Sequence, residues 1–256
     1  MSETLAACAE LVQRADPERF RAAMAAHVSA RRVLFPLYAM NVEVSRAPWV
    51  TAEPMIAEMR LQWWRDAIGE IAAGGPVRRH EVVTPLAEAV APDRAEVLDG
   101  YVEARRWDIY RDAFEDEAAF SDHIDRVSGS LMWVAAASLG QADEAVVRDF
   151  GWATGVARWL KAIPDLEARG RIPLLDGTEA GVCRLAEEAL DRLARARGRR
   201  DAVSAEARPA LISGWQAEHL LRQAAREPAR VAAGTLEMGA FRSAAALMRV
   251  AATGRW

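Results

Sequence analysis

The sequence predicts an all-α fold, on three observations. Alanine, leucine, arginine and glutamate, all strong helix formers, dominate the chain. Apolar residues recur at three- and four-residue spacing along most of it, the period of amphipathic helices. No alternating strand pattern or strand–helix–strand succession competes, while proline and glycine cut the chain into helix-sized pieces. At 256 residues the expectation is a single domain spanning 1–256 around one core.

Taken from the N-terminus, the first clear break lies at Ala47-Pro48, followed by Glu53-Pro54. Between Met55 and Ile71 the spacing predicts a helix whose apolar face is Ile56, Met59, Trp63, Ala67 and Ile71, with Glu58, Gln62, Arg65 and Asp66 opposite. Gly74-Gly75-Pro76 and Ala91-Pro92 end the next pieces, and further breaks fall at Gly140, Gly170, Pro173 and Asp176-Gly177. From Val182 to about Arg195 a second stripe, Val182, Leu185, Ala186, Ala189, Leu190 and Leu193, predicts another helix. Gly198, Pro209 and Pro228 punctuate the rest. The tail from Val231 to Trp256 reads as a final packing helix with Phe241, Ala245 and Met248 on one face, or as a weak membrane-surface contact.

Composition narrows the function classes. Apolar residues make up 52% and charged residues 27%, as in an ordinary globular protein, and the net charge of -4 gives no reason to expect nucleic acid as a partner. Cys8 and Cys183 stand far apart without metal-ligand spacing, so neither a disulfide framework nor a zinc site is expected, and a reducing cytoplasm fits. No basic start with an apolar run and no window of about 18 apolar residues appears, so neither a secretion signal nor a membrane span is read. His27, His80, His123 and His219 are scattered and read as satisfied polar contacts rather than ligands. Ser128 and Ser130 flank Gly129 without forming a nucleophile elbow, and read as close packing by small residues.

Three segments carry more specific information. LFPLYAMNVEVSR (34–46) resembles the region opening the first aspartate-rich motif of squalene and phytoene synthases. VSGSLMWVAAASLG (127–140) resembles that superfamily's small-residue helix, and GWATGVARWLKAIPDLEARGRIPLL (151–175) resembles its second aspartate-rich motif. The three occur in the family's order across residues 16–175. The resemblance implies an isoprenoid-synthase-type helical bundle around a central apolar cavity.

The family's catalytic carboxylates do not follow. Four-residue spacing sets two aspartates on one helix face, which suits magnesium ions holding a diphosphate. Aligning Tyr38 with the family tyrosine puts Ser45, Arg46 and Trp49 at the first motif's aspartate positions. In the second motif Ala162 and Leu166 hold them, Gly155 and Arg158 replace glutamine and asparagine, and Pro173 replaces tyrosine. Neither Glu43 nor the pair Asp165 and Glu167 restores the spacing. Asp108 and Asp112, and Asp112 and Asp116, do have it, and read either as a relocated metal site or as a solvated acidic helix face. Arg46, Arg158, Lys161, Arg169 and Arg171 offer a third option, direct neutralisation of a diphosphate without metal.

EPMIAEMRLQWWRDAI, with YAMNVEVSR before it, resembles the superfamily's non-catalytic branch, which includes a mitochondrial assembly factor for respiratory complex I. Arg60, Gln62, Trp63, Trp64, Arg65 and Asp66 are its densest run. They read as a docking surface, since tryptophan and arginine are favoured at interface hot spots, or as core tryptophans beside helix-surface ion contacts; Trp63 alone reads as core. Arg192, Arg195, Arg197, Arg199 and Arg200 read as a solvated helix end or an anionic-lipid contact. The resemblance therefore implies a catalytically inactive, cytoplasmic protein, peripheral on the inner membrane, with complex I subunits or assembly intermediates as partners and no cofactor or metal. The alternatives are a divergent prenyltransferase, for which magnesium would be the cofactor, and a metal-independent binder of a prenyl lipid.

Overall fold

Local chemistry marks several helix starts in the computed structural model, which describes residues 3–256. Proline occupies the first turn of α2 (Pro17–Ala25), α4 (Pro54–Ala72) and α6 (Pro92–Ala104), where its missing N–H costs nothing. Side-chain caps from Asp16, Asp116, Asp143 and Thr178 start α2, α7 (Glu117–Ile124), α9 (Glu144–Ala168) and α10 (Glu179–Gly198). The remaining helices are α1 (Glu3–Ala15), α3 (Arg31–Arg46), α5 (Val83–Ala89), α8 (Ser130–Leu139), α11 (Ala217–Arg226), α12 (Ala229–Ala232) and α13 (Ala240–Thr253). Among the described residues no strand forms, and an isolated bridge joins Ala142 to Val203. The all-α expectation holds.

The middle of α9 forms the axis of the fold. It is buried on every side from Phe150 to Ala157, and it packs against α8, α10 and α11. A helix enclosed in this way needs small residues where neighbours cross. A Cβ on Gly151 would lie 2.9 Å from the Gly129 Cα, and one on Gly155 2.7 Å from the Ser128 Cβ. The partner is a π-helical turn, Asp125–Gly129, that leads into α8. Ser128 Oγ donates to the Gly151 carbonyl at 2.7 Å, which ties this turn to α9 and bears out the small-residue reading of that serine.

Several sequence expectations shift by a residue or a face. The α10 stripe is correct: Val182, Ala186, Ala189 and Leu193 are buried. In α4 the buried face is Ala57, Leu61, Trp64, Ala67, Ile68 and Ile71, so the expected stripe is rotated. Met59 and Trp63 are exposed (67% and 36%), and Trp64 takes the core position expected of Trp63. The arginine run at the end of α10 and just beyond it is tied down rather than free: Arg192 pairs with Glu188, Arg195 with Asp149, Arg197 with Glu218 and Arg199 with Asp143, while Arg200 donates to the Trp256 carbonyl. In α13 the buried positions are Ser243 and Val250, and the expected packing face points outward.

Candidate functional site

The C-terminal end of α3, the following turn Ala47–Trp49 and the second half of α9 face one another across a cavity of about 290 Å³. Ser45 and Trp49 line one wall and Ala162 and Leu166 the other, all four half-buried. Positions chosen by two separate motif alignments, more than a hundred residues apart, therefore meet in one cavity. Arg46 does not join them; it is exposed and points into a different depression.

Guanidinium groups dominate the polar lining. Arg19, Arg105, Arg158 and Arg169 face the cavity, with Asp108 and Asp165 as its acids. Arg158 donates to the Ser213 carbonyl at 3.1 Å, and burial followed by the charge of Arg19 pulls its pKa down to about 10. Arg19 forms a 2.6 Å ion pair with Asp16. Burial works to raise Asp16, but the fields of Arg19 and Arg158 and the hydrogen bonds from Arg19 outweigh it, holding the carboxyl at about 2. Trp49 replaces a carboxylate with an aromatic face: Arg169 lies 4.7 Å and Arg171 4.9 Å from its ring centre, within cation–π range. Ser45 is committed to a network in which it lies 3.3 Å from the Tyr101 hydroxyl, which in turn donates to Asn41 Oδ1 at 2.9 Å.

The acids that resembled a relocated metal site are not arranged as one. Residues 109–116 form no helix, so Asp108, Asp112 and Asp116 share no helix face, and both readings of that spacing are overturned. Asp108 is buried and paired with Arg105 at 3.3 Å, Asp112 is exposed, and Asp116 caps α7 by accepting from the Ala119 N–H. Burial raises the pKa of Asp108 against the opposing field of Arg105. Among the described residues no three His, Cys, Asp or Glu side chains gather as a metal-binding group.

The expected diphosphate-binding cations also separate. Arg158 and Arg169 reach the cavity, and Arg171 stands behind Trp49, donating to the Asp108 carbonyl at 2.6 Å. Lys161 points outward to Glu18 at 2.8 Å, so neither it nor Arg46 shares that site. Arg19 and Arg105 complete the lining. Sequence spacing gave no sign of them, because they come from α2 and from the turn after α6.

The RLQWWRD run divides by function of each side chain. Arg65 makes a bidentate pair with Asp99 at 2.7 Å, and Gln62 donates to Asp66 at 2.8 Å, so these three are surface ties. Arg60, Trp63 and Trp64 instead line a depression of about 370 Å³ with Glu43, Arg46 and His80. Trp63 packs edge-on to Trp64 and 5.0 Å from His80, with Arg78 4.9 Å over its ring. His80 Nδ1 accepts from the Val82 N–H, a satisfied contact as expected. His123 departs from that expectation: buried among Trp107, Phe114 and Trp159, its Nε2 lacks a partner.

Comparisons with known proteins agree with this geometry. The family model described as squalene/phytoene synthase matches residues 12–237. The chain is 25% identical over 180 residues to the bovine (Bos taurus) NADH dehydrogenase (ubiquinone) complex I, assembly factor 6, covering 64% of this chain and 51% of that protein. Its Drosophila melanogaster homolog is 28% identical over 177 residues, covering 66% and 53%. The chain thus spans about half the length of the curated relatives it matches. A dehydrosqualene synthase crystal structure superposes with a TM-score of 0.80 at 12% identity, covering 98% of this chain and 96% of that one. Squalene synthase HpnC from Alicyclobacillus acidocaldarius gives 0.74 at 15% identity, covering 88% and 94%.

Proposed function

The chain belongs to the squalene/phytoene synthase family, and from that premise we propose that it is a non-catalytic member that assists assembly of respiratory complex I. One observation supports the reading: Ser45, Trp49, Ala162 and Leu166, which the motif resemblance sets against the family's aspartates, all line one cavity, and none of them is a carboxylate. Their donor set does not fit magnesium, which needs several hard oxygen ligands, and the surrounding guanidiniums repel a divalent cation. Asp108 offers no substitute, since Arg105 already holds it. The assembly role is supported by the names of the bovine and Drosophila relatives, both complex I assembly factor 6 proteins.

In this role the depression around Arg60 and Trp63 is the docking surface for a complex I subunit or assembly intermediate. Arg46 and Arg60 are exposed there beside an aromatic wall, the pairing favoured at interface hot spots. The same reading puts the protein in the cytoplasm, peripheral on the inner membrane; among the described residues no helix is long and apolar enough to cross a membrane. Disrupting the gene should lower the amount and the NADH-oxidising activity of assembled complex I, and restoring the wild-type gene should recover both. Unchanged complex I in the disrupted strain overturns the assembly role.

A second reading is favoured by the cavity's charge. Arg19, Arg105, Arg158 and Arg169 around an apolar floor of Ile124, Val127 and Trp159 suit an anionic lipid headgroup with a prenyl tail, held without metal. Binding of farnesyl diphosphate in the presence of a chelator, lost on Arg158→Gln, is the expected result; no binding removes this reading and leaves the assembly role intact.

A further inference from the structure

The outward face of α13 is apolar although no described residue covers it. Phe241 is 87% exposed and Met248 66% exposed, the former the most exposed large apolar side chain described. With Ala245 and Ala252 they fall at positions 241, 245, 248 and 252, a single stripe along the helix, and Ala244 and Ala251 widen it. The opposite side is already filled: Ser243 and Val250 are buried, and Trp215 Nε1 donates to Ser243 Oγ at 3.2 Å. The helix is thus held against α2 and the Arg208–Gly214 turn by one face while a second apolar face is presented to the outside.

Charge says what covers it. Arg242 and Arg249, seven residues apart, run along one edge of the stripe, and Arg255 follows the helix; no acid occurs between 238 and 256. The remainder of the chain is net negative, since the whole carries -4. Arginine at the margin of an apolar stripe lets the stem lie on hydrocarbon while the guanidinium meets a phosphate. An anionic bilayer satisfies both halves of this pattern, and the negative remainder of the surface would be turned away from it.

We propose that α13 is an interfacial helix that seats the protein on an anionic lipid bilayer, with Phe241 and Met248 in the acyl boundary and Arg242 and Arg249 at the headgroups. This deepens the peripheral placement given above, and its test does not depend on complex I. The full-length protein is sedimented with vesicles of phosphatidylcholine alone and of phosphatidylcholine containing phosphatidylglycerol, at low and high salt. It should partition onto the anionic vesicles, less so at high salt. The Phe241→Ser/Met248→Ser double variant, altered only at exposed positions, should lose about tenfold or more of that binding with unchanged helix content. Arg242→Gln/Arg249→Gln should remove the preference for anionic vesicles. Absence of binding to anionic vesicles, undiminished binding of the Phe241→Ser/Met248→Ser variant, or a concentration-dependent dimer that this variant abolishes in place of vesicle binding would each overturn the proposal.

Discussion

Replacing Gly151 with alanine tests the close crossing that builds the cavity wall, and Gly69 supplies its control. Both glycines lie inside helices, where alanine is favoured by about 1 kcal/mol on propensity alone. They differ in what the new methyl meets. At Gly69 nothing lies within 4 Å, so Gly69→Ala should raise stability by about 0.5–1 kcal/mol. At Gly151 the methyl would fall 2.9 Å from the Gly129 Cα and 3.3 Å from the Ser128 carbonyl oxygen. These are backbone atoms and cannot swing aside, so α9 or the π-helical turn must shift. Overpacking of this kind costs about 1–3 kcal/mol, which outweighs the propensity gain at all but its lower end. Gly151→Ala should therefore be destabilised by up to about 2 kcal/mol net, a fall of up to several degrees in melting temperature at about 2–4 °C per kcal/mol for a chain of this size. Urea unfolding of both variants and the wild type, followed by circular dichroism, reads the two signs in one experiment. Gly151→Ala as stable as Gly69→Ala would refute the close crossing.

Other consequences are independent of that crossing. Burial, then Arg105 and Arg126, hold His123 down to about 3, below the ordinary 6.5, so the folded state keeps it neutral while the unfolded state takes up a proton. Its contribution is present above pH 6.5 and is lost as the pH falls toward 3, at about 1.4 kcal/mol per pH unit; His123→Phe should flatten that part of the stability–pH curve, and an unchanged slope would count against it. Cys8 is buried and its thiol is pushed up to about 12, first by desolvation and then by Glu81, so a mild alkylating reagent at pH 8 should leave it unmodified until the protein unfolds. Modification of Cys8 in the native protein would contradict its burial. Arg60→Glu, at an exposed side chain, should leave the unfolding free energy within about 0.5 kcal/mol of wild type, yet should fail to restore complex I in a disrupted strain; full rescue would remove that depression as the docking surface.

What could be read from sequence follows from where each signal lies. Helical class and the α10 face were legible because Val182, Ala186, Ala189 and Leu193 repeat without competitors. In α4 the exposed apolar residues Met55, Ile56 and Met59 imitate a stripe of their own, and adjacent Trp63 and Trp64 leave the period undecided; small Ala57 on the true face carries little weight. The two halves of the cavity were legible through family motifs, since Ser45, Trp49, Ala162 and Leu166 keep their register on α3 and α9. Arg19 and Arg105 were not, because a residue brought in by tertiary packing has no periodic signature. The acidic spacing from Asp108 to Asp116 misled because four-residue spacing has meaning only inside a helix, and here the chain leaves its 3-10 turn at Asp108 and starts α7 with Asp116 as cap. The Asp-Glu pair at 116–117 is a helix-start signal that could have shown this.

The most direct test of the non-catalytic reading is pyrophosphate release by the purified protein from farnesyl and geranylgeranyl diphosphate, with magnesium or manganese present. Release no greater than in the protein-free control is the expected result, because no carboxylate stands at Ser45, Trp49, Ala162 or Leu166 to hold the metal. Metal-dependent release, lost on Asp108→Asn or Asp165→Asn, would contradict it and make the arginine-lined cavity an active site.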